Sequence, residues 1–376
     1  MKSVYVLLFW LACSLRSSYA VPIDFVEDAH SLRLLLLNSL SPHRNTTTNS
    51  EYLPIVVWHG MGDSCCDQNS IGAVIKYIQN LVPGIFIHSI STGNNEAADI
   101  SSSYFGLVDS QVDRVCDEIR AIPQLQKGYT AVGFSQGGQF LRAVVQRCQH
   151  RGPAAHTLVT MGAQHEGVMD IPGCWEPSFN STPSWACRVM QSLLGRGVYN
   201  KFVQNRVIQA QYFKDPAHLN EYYRNSAFLA DINAEALPSS RRGGSFLQVG
   251  KNKNLEGFLE NNEIKTLSAR YDLYKDNLAS LQRLVLFMFD NDITVVPKES
   301  SHFAFFNGQK LIPLAESELY IEDRLALKQL DEYGRLVLAH APGFHMQFSL
   351  EWFFTNVVKP YLLVEAAEAE EKGKEQ

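Results

Sequence analysis

The chain has 376 residues, enough for one large enzyme domain, and 45% of them are hydrophobic, as in ordinary globular proteins. Its 33 basic and 39 acidic residues give a formal net charge of -6. Nucleic-acid binding requires a basic field that this composition lacks. Nucleic acid is therefore excluded as the main partner.

The first twenty residues have the three parts of a secretory signal peptide. Lys2 supplies the positive charge, residues 4–13 are apolar, and Ser18-Tyr19-Ala20 has the small-x-small pattern of a cleavage site. A membrane anchor is the alternative, but the apolar run is shorter than the about 20 residues that a bilayer requires. We expect cleavage after Ala20 and no transmembrane segment in the mature chain.

Cleavage there removes Cys13 and leaves an even number of cysteines: Cys65, Cys66, Cys116, Cys148, Cys174 and Cys187. In a secreted chain this predicts disulfides, although the sequence alone leaves about fifteen pairings open. None of the cysteines forms a C-x-x-C pair, so we expect no metal site. Asn45 and Asn180 each begin an N-x-Ser/Thr sequon and are candidate glycosylation sites.

Short apolar segments alternate with helical patterns from residue 53 onward. The strand candidates are residues 53–58, 85–90, 130–134, 157–161, 284–289 and 336–339, and the helix candidates are residues 72–81, 108–122, 139–148 and 347–358. This alternation predicts an α/β fold with a mainly parallel central sheet and helices on both faces. We place this domain at residues 53–364, after an N-terminal extension at residues 21–52 whose polar stretch, residues 43–50, is a linker.

Residues 164–282 differ, because strand signals mostly disappear and aromatic residues accumulate. The aromatic residues are Trp175, Trp185, Tyr199, Phe202, Tyr212, Phe213, Tyr222 and Tyr223. We interpret this segment as an inserted, mostly helical lid, with a mobile loop at residues 237–262. We expect most of these aromatic residues to form the lid's own core. The charged tail, residues 365–376, is predicted to be disordered.

Gly133-Phe134-Ser135-Gln136-Gly137 matches G-x-S-x-G, the nucleophile elbow. The serine of an elbow sits on a sharp turn from strand to helix, so the flanking positions must be nearly free of side chain. A glycine-rich turn with a surface serine is the alternative. A strand candidate before the motif and a helix candidate after it favour the elbow, and we predict that Ser135 is the nucleophile.

An oxyanion hole needs backbone N–H groups that face the developing negative charge. Gln136 follows the nucleophile at the start of a helix and can supply one. The turn after the first strand candidate, His59-Gly60-Met61-Gly62-Asp63, can supply the other, with Met61 as the natural candidate. The two glycines could also simply make a turn.

The general base must be a late histidine, because the residues of this fold follow the order serine, acid, histidine. His302 follows the acid region too closely, and His340 ends a strand candidate. His345 lies in a loop after the last strand, where the base belongs. The acid should follow residues 284–289, and Asp290 and Asp292 both qualify. Spacing does not choose between them.

With these residues located, the sequence resembles the lysosomal palmitoyl-protein thioesterases. The likeness covers about residues 54–361, and the strings that carry it are VVWHGMGDSCC at 56–66, GFSQGGQFLRAV at 133–144, NRVIQAQYFKDP at 205–216, FLADIN at 228–233 and LYIEDRLALKQLD at 319–331. The resemblance implies a triad of Ser135, Asp292 and His345, with oxyanion amides at Met61 and Gln136. It thereby chooses Asp292 over Asp290.

The resemblance also implies three disulfides: Cys65–Cys66, Cys116–Cys148 and Cys174–Cys187. The adjacent pair is unusual, because neighbouring Cα atoms lie about 3.8 Å apart, below the usual disulfide range. Asp290 and Phe344 depart from the pattern, since the family usually has an apolar and an acidic residue at these positions. The longer loop at residues 237–262 and the charged tail are further departures, and neither removes a catalytic group.

The activity that the resemblance implies is hydrolysis of long-chain acyl thioesters, with S-acylated proteins and peptides as substrates. It implies action in the lysosome or elsewhere in the secretory pathway, and no cofactor. Two alternatives use the same residues. One is a lipase or esterase that acts on oxygen esters, and the other is an inactive acyl-binding protein. The complete triad disfavours the second alternative.

Overall fold

The protein's structure, a computed structural model, describes residues 51–170, 197–237 and 261–366. Its strands are β1 Ile55–Trp58, β2 Ile87–Ser89, β3 Tyr129–Phe134, β4 Ala155–Met161, β5 Arg283–Phe289, β6 Phe305–Phe306, β7 Leu311–Ile312 and β8 Leu336–Ala341. Six of them form one sheet in the order β2-β1-β3-β4-β5-β8. All neighbours in this sheet are parallel, whereas β6 and β7 form a separate antiparallel pair. The predicted α/β class with a parallel central sheet is confirmed.

The helices follow the alternation that the sequence predicts. They are α1 Ile71–Leu81, α2 Glu96–Ser102, α3 Val108–Ala121, α4 Gln136–Cys148, α5 Lys201–Gln204, α6 Ile208–Gln211, α7 Leu219–Asn225, α8 Leu229–Ile232, α9 Asn261–Ala279, α10 Glu318–Ile321, α11 Leu327–Glu332 and α12 Leu350–Phe353. The predicted closing helix differs most. The Ser349 side chain accepts the N–H of Trp352, so α12 begins three residues later than expected, and a π-helical segment, Phe354–Leu362, then extends it.

Both faces of the sheet are largely buried, as expected for a parallel sheet, and only the edge strand β8 has exposed side chains in its middle. Strand side chains alternate between the faces. On one face Val56, Trp58 and Leu158 pack against α3 and α4. On the other face Val57 and Val159 pack against α1 and the C-terminal helical segment. All six residues of β3, the strand that precedes the predicted nucleophile, are buried.

The described part of the insertion, residues 197–237, continues the core on one face of the sheet. Tyr199, Tyr212, Phe213 and Tyr222 are buried in the same cluster as the strand residues. The Phe228 ring packs edge-on against Phe140 of α4, with centroids 5.6 Å apart. We expected these aromatic residues to form a separate core of the lid. The buried ones instead join the core of the sheet, because the short helices rest directly on α4.

Several expectations fall outside the described residues. They are the signal peptide, the sequons at Asn45 and Asn180, the pair Cys174–Cys187, Trp175 and Trp185, and nearly all of the loop at residues 237–262 and of the tail. In the part of the chain that the structure describes, no helix is both long and apolar enough to cross a bilayer.

Candidate active site

The elbow brings Ser135 to the carboxyl edge of the sheet, between β3 and α4. Ser135 has φ 54° and ψ -125°, a conformation that residues with a side chain rarely adopt. Its backbone N–H donates to the carbonyl of Met161, at 2.8 Å. A Cβ atom at Gly133 would lie 2.4 Å from the Cα atom of Gly138, and one at Gly137 would lie 2.4 Å from the carbonyl oxygen of His59. The sharp turn therefore requires both glycines of the motif.

Ser135, His345 and Asp292 form a continuous hydrogen-bonded chain. The Ser135 Oγ atom lies 3.0 Å from Nε2 of His345, whose Nδ1 atom lies 2.6 Å from Oδ2 of Asp292. The other carboxylate oxygen of Asp292 accepts the N–H groups of Thr294 and Val295, at 2.8 and 3.0 Å. A carboxylate can only accept, so Nδ1 of His345 carries the proton and Nε2 is left to accept the hydroxyl proton of Ser135.

This chain is largely withdrawn from water, with Asp292 6% exposed and His345 9% exposed. The imidazole of His345 packs near the Phe289 ring, with centroids 5.9 Å apart. Gly162 also lies close to the ring, because a Cβ atom there would be 3.1 Å from Cε1 of His345 and 3.0 Å from Cδ2 of Phe289. Gly162 has φ +61°, a conformation that favours glycine. The sequence reasoning missed this residue, whose only signal is its position directly after a strand.

The other candidates for acid and base lie apart from Ser135. Asp290 pairs with His340, whose Nδ1 atom lies 2.8 Å from Oδ1, and both side chains are about half exposed. The Nε2 atom of His302 lies 3.0 Å from the carbonyl oxygens of Leu286 and Ala339. The structure thus brings together the three residues that the resemblance implied and leaves the three alternatives outside.

The two segments expected to supply the oxyanion amides lie beside the serine. Gln136 is the first residue of α4, where backbone N–H groups have no acceptor within the helix. Its side chain is anchored, because Nε2 donates to the carbonyl of Ser103 at 3.1 Å and Oε1 accepts the hydroxyl of Tyr212 at 3.2 Å. On the other side, a Cβ atom at Gly60 would lie 3.2 Å from Cβ of Ser135. The turn that carries Met61 therefore contacts the serine.

Two further residues beside this turn were missed. His59 and Asp99 are 1% and 0% exposed, and Nε2 of His59 lies 3.2 Å from Oδ1 of Asp99. Asp99 lies in a polar segment with no recognisable motif, forty residues from its partner. Only the position of His59 directly before the glycines could have drawn attention to this pair.

The structure bonds Cys65 to Cys66 beside the same turn, with Cα atoms 3.8 Å apart. It also bonds Cys116 of α3 to Cys148 at the end of α4, with Cα atoms 5.9 Å apart. The second bond ties the elbow helix to its neighbour. Within residues 51–170, 197–237 and 261–366, no group of three or more histidine, cysteine or acidic side chains is placed to hold a metal ion.

Comparison with known proteins gives consistent matches over nearly the same part of the chain. The family model for palmitoyl protein thioesterase matches residues 54–345. Palmitoyl-protein thioesterase 1 of Caenorhabditis elegans is 37% identical over 88% of this chain and 98% of that protein. Palmitoyl-protein thioesterase 3 of Dictyostelium discoideum is 30% identical, over 82% of this chain and 92% of that protein. The human lysosomal thioesterase PPT2 is 23% identical, over 83% and 86%.

Proposed function

The chain belongs to the palmitoyl protein thioesterase family, and we propose that it releases long-chain fatty acids from S-acylated cysteines of proteins and peptides, and from acyl-CoA. The observation that carries the chemical part of this proposal is the hydrogen-bonded chain from Asp292 through His345 to Ser135. A serine hydroxyl is a weak nucleophile until an adjacent base accepts its proton. This arrangement supplies that base in the required tautomer.

In the first step, Oγ of Ser135 attacks the thioester carbonyl and its proton moves to Nε2 of His345. The buried carboxylate of Asp292 stabilises the imidazolium that forms. The amides of Met61 and Gln136 stabilise the oxyanion. The carbon–sulfur bond then breaks, the thiol leaves with the proton from His345, and the fatty acid remains on Ser135 as an ester.

In the second step, His345 accepts a proton from water, whose oxygen attacks the acyl ester. The carbon–oxygen bond to Ser135 breaks, and Oγ regains its proton from His345. A cysteine thiol has an unperturbed pKa of about 8.5, so it leaves with less proton assistance than an amine would. The elbow and oxyanion amides serve both steps without a redox change.

The decisive experiment is hydrolysis of a palmitoyl-cysteine peptide and of palmitoyl-CoA by the purified protein, with Ser135→Ala as the control. We expect turnover of both thioesters by the wild type and loss of nearly all turnover in the variant, which should remain folded. Retention of more than a few per cent would show that the nucleophile lies elsewhere. Faster cleavage of a matched oxygen ester would favour a lipase or esterase, and no turnover with intact binding would favour an acyl-binding protein.

The preference for long chains is tested separately with a series of acyl thioesters below their critical micelle concentrations. Each buried CH₂ group contributes about 0.8 kcal/mol. We therefore expect kcat/KM to rise with acyl length up to about C14–C18 as burial increases. An equal kcat/KM for short and long acyl groups would leave a thioesterase without long-chain specificity.

We also propose that the protein acts in the lysosome after entering the secretory pathway. The signal-peptide pattern of residues 1–20 and the two sequons support this location. Protein isolated from lysosomes should begin at Val21 and should lose mass at Asn45 and Asn180 on removal of N-linked glycans. An intact N-terminus in cytosolic protein without glycans would contradict the location and leave the chemistry untouched.

A further inference from the structure

The buried pair of His59 and Asp99 lies behind the turn that carries Met61. Asp99 is surrounded by donors: Oδ1 accepts the N–H and the hydroxyl of Thr92, at 2.6 and 2.8 Å, and Oδ2 accepts the N–H of Cys65, at 2.8 Å. Its third partner is His59, whose Nε2 atom lies 3.2 Å from Oδ1. One carboxylate thus connects three separate segments around the turn.

The partners of His59 establish its protonation state. Nδ1 lies 2.9 Å from the carbonyl oxygen of Gly60, and Nε2 faces Asp99. A carbonyl only accepts, and the Asp99 carboxylate, which already accepts three hydrogen bonds from Thr92 and Cys65, is ionised and also only accepts. Both ring nitrogens therefore donate, which makes His59 a buried imidazolium.

The charges around the ring agree with this assignment. Burial alone would lower the pKa of His59, but its hydrogen bond with Asp99 and the charges of Asp99 and Asp63 raise it above its ordinary value. Burial alone would raise the pKa of Asp99, but the donors of His59, Cys65 and Thr92 hold it well below its ordinary value.

The carbonyl that His59 binds belongs to the same peptide unit as the N–H of Met61. In a trans peptide these two groups point in opposite directions. Because the Gly60 carbonyl faces His59, the N–H of Met61 points away from it. Gly60 lacks a Cβ atom, so the backbone on that side restricts this plane only weakly.

We propose that His59, held in its charged form by Asp99, is a positioning residue that fixes the Gly60–Met61 peptide with its N–H toward the oxyanion. This inference rests on the proposed function, in which that amide stabilises the tetrahedral intermediate. A hydrogen bond to the carbonyl also polarises the amide and strengthens its N–H as a donor. His59 is 1% exposed, so we place it outside the substrate's reach, acting through Met61.

Two substitutions separate the contacts of His59. In His59→Asn, the side-chain amide nitrogen can occupy the position of Nδ1 and donate to Gly60, while the bond to Asp99 is lost. In His59→Gln, the longer amide can occupy the position of Nε2 and donate to Asp99, while the bond to Gly60 is lost. Both variants remove the charge, so they form a matched pair that differs in the contact retained.

Turnover of palmitoyl-CoA is measured for each variant. Inhibition of that turnover by a long-chain trifluoromethyl ketone and by palmitate is measured in the same assay. The ketone forms a tetrahedral adduct with a serine nucleophile and so requires the oxyanion hole, whereas palmitate reports ground-state binding. Loss of a whole oxyanion donor costs about 10²–10³-fold in kcat. We expect His59→Gln to lower kcat by about 10–100-fold and to weaken inhibition by the ketone by the same factor. The reason is that the Met61 N–H is still present but loosely oriented. His59→Asn should lose less of both, and palmitate inhibition should stay constant.

Equal losses in the two variants, or lower kcat with unchanged ketone inhibition, would overturn the positioning role while the Ser135 mechanism stands. Turnover that survives in Ser135→Ala would overturn the proposed function together with this inference. Asp99→Asn gives an independent test that retains His59. Without that charge, and with Asp63 as the remaining acidic neighbour, the pKa of His59 should be lower than in the wild type. As the pH is raised, the decline in kcat should therefore begin at a lower pH than in the wild type. An unchanged pH profile would also overturn the proposal.

Discussion

Two aspartate–histidine pairs join the end of β5 to β8 or the loop after it, and only one of them contacts the serine. Both aspartates follow β5, and both histidines belong to β8 or the loop after it. The Nδ1–Oδ distances are similar, 2.6 Å for His345–Asp292 and 2.8 Å for His340–Asp290. Their surroundings differ, because the first pair is buried and the second is about half exposed.

This contrast shows that the pairing itself does not make a catalytic site. The Asp292 carboxylate is held by two backbone N–H groups, which direct its remaining oxygen toward His345. Asp290 and His340 face solvent, where an ion pair contributes about 0–1 kcal/mol. Burial, orientation and the approach to Ser135 distinguish the two pairs, and each of these can be perturbed separately.

The largest difference is expected from removing one carboxylate charge at a time. Asp292→Asn should lower kcat by about 10⁴-fold, because the amide no longer selects the required tautomer of His345 or stabilises its charged form. Asp290→Asn should change kcat by no more than about fivefold, as expected for an exposed pair. Steady-state assays on palmitoyl-CoA measure both, and reversed effects would assign the acid to Asp290.

A second change tests whether the buried pair depends on the stability of the whole domain. Cys116→Ser should lower the free energy of unfolding by about 3–4 kcal/mol, the chain-entropy range for the 32-residue separation that the bond closes. Because the bond joins α3 to the far end of α4, kcat per folded molecule should not change. Urea denaturation under non-reducing conditions measures the stability loss.

The double variant Cys116→Ser/Cys148→Ser controls for the thiol left unpaired in the single variant and should show the same loss. Peptide mapping of the non-reduced wild type tests the pairing itself. Finding Cys116 joined to any other cysteine would contradict the prediction.

A smaller loss of turnover is expected from crowding His345 without altering any catalytic group. A methyl group at Gly162 would lie 3.1 Å from Cε1 of His345, and 3.0 Å from both Cδ2 of Phe289 and Cε of Met346. Gly162→Ala should therefore displace the imidazole and lower kcat by up to about 10²-fold, the cost of a 1 Å misplacement. Exposed His340 has no equivalent contact with this glycine.

Gly334→Ala is the matched control. Gly334 has φ +65°, close to the +61° of Gly162, but a Cβ atom there would have no neighbour within 4 Å. Both variants carry the backbone cost of a left-handed residue, roughly 1–2 kcal/mol of stability. Only Gly162→Ala should lose turnover, and equal kcat values in the two variants would show that His345 tolerates the contact.

Much of the candidate active site could be predicted from the sequence, because its signals are local. The elbow needs two glycines around Ser135, and strand β3 and helix α4 border it directly in the chain. The last histidine follows the last strand. The fold class follows from the same alternation of apolar strands and helices, which does not depend on the details of packing.

The choice between Asp290 and Asp292 could not be made from spacing, because both follow the same strand and differ in how the chain turns after Phe289. That turn is defined by contacts of the folded chain: Asp290 donates its N–H to the carbonyl of Ala341, and Asp292 accepts the N–H groups two and three residues later. His59 and Asp99 were missed for a related reason. Their contact joins residues forty positions apart, and no local pattern records it.

The finest test of the contrast uses a double-mutant cycle on each pair. For His340 and Asp290, alanine substitutions should give a coupling in unfolding free energy below about 1 kcal/mol, because solvent screens their charges. For His345 and Asp292, the effects on kcat should be strongly non-additive, since an acid that acts through a histidine contributes nothing once that histidine is absent. Added salt should reduce the first coupling further. A large or salt-insensitive coupling between His340 and Asp290 would show that the exposed pair is structural, and burial alone would no longer separate the two.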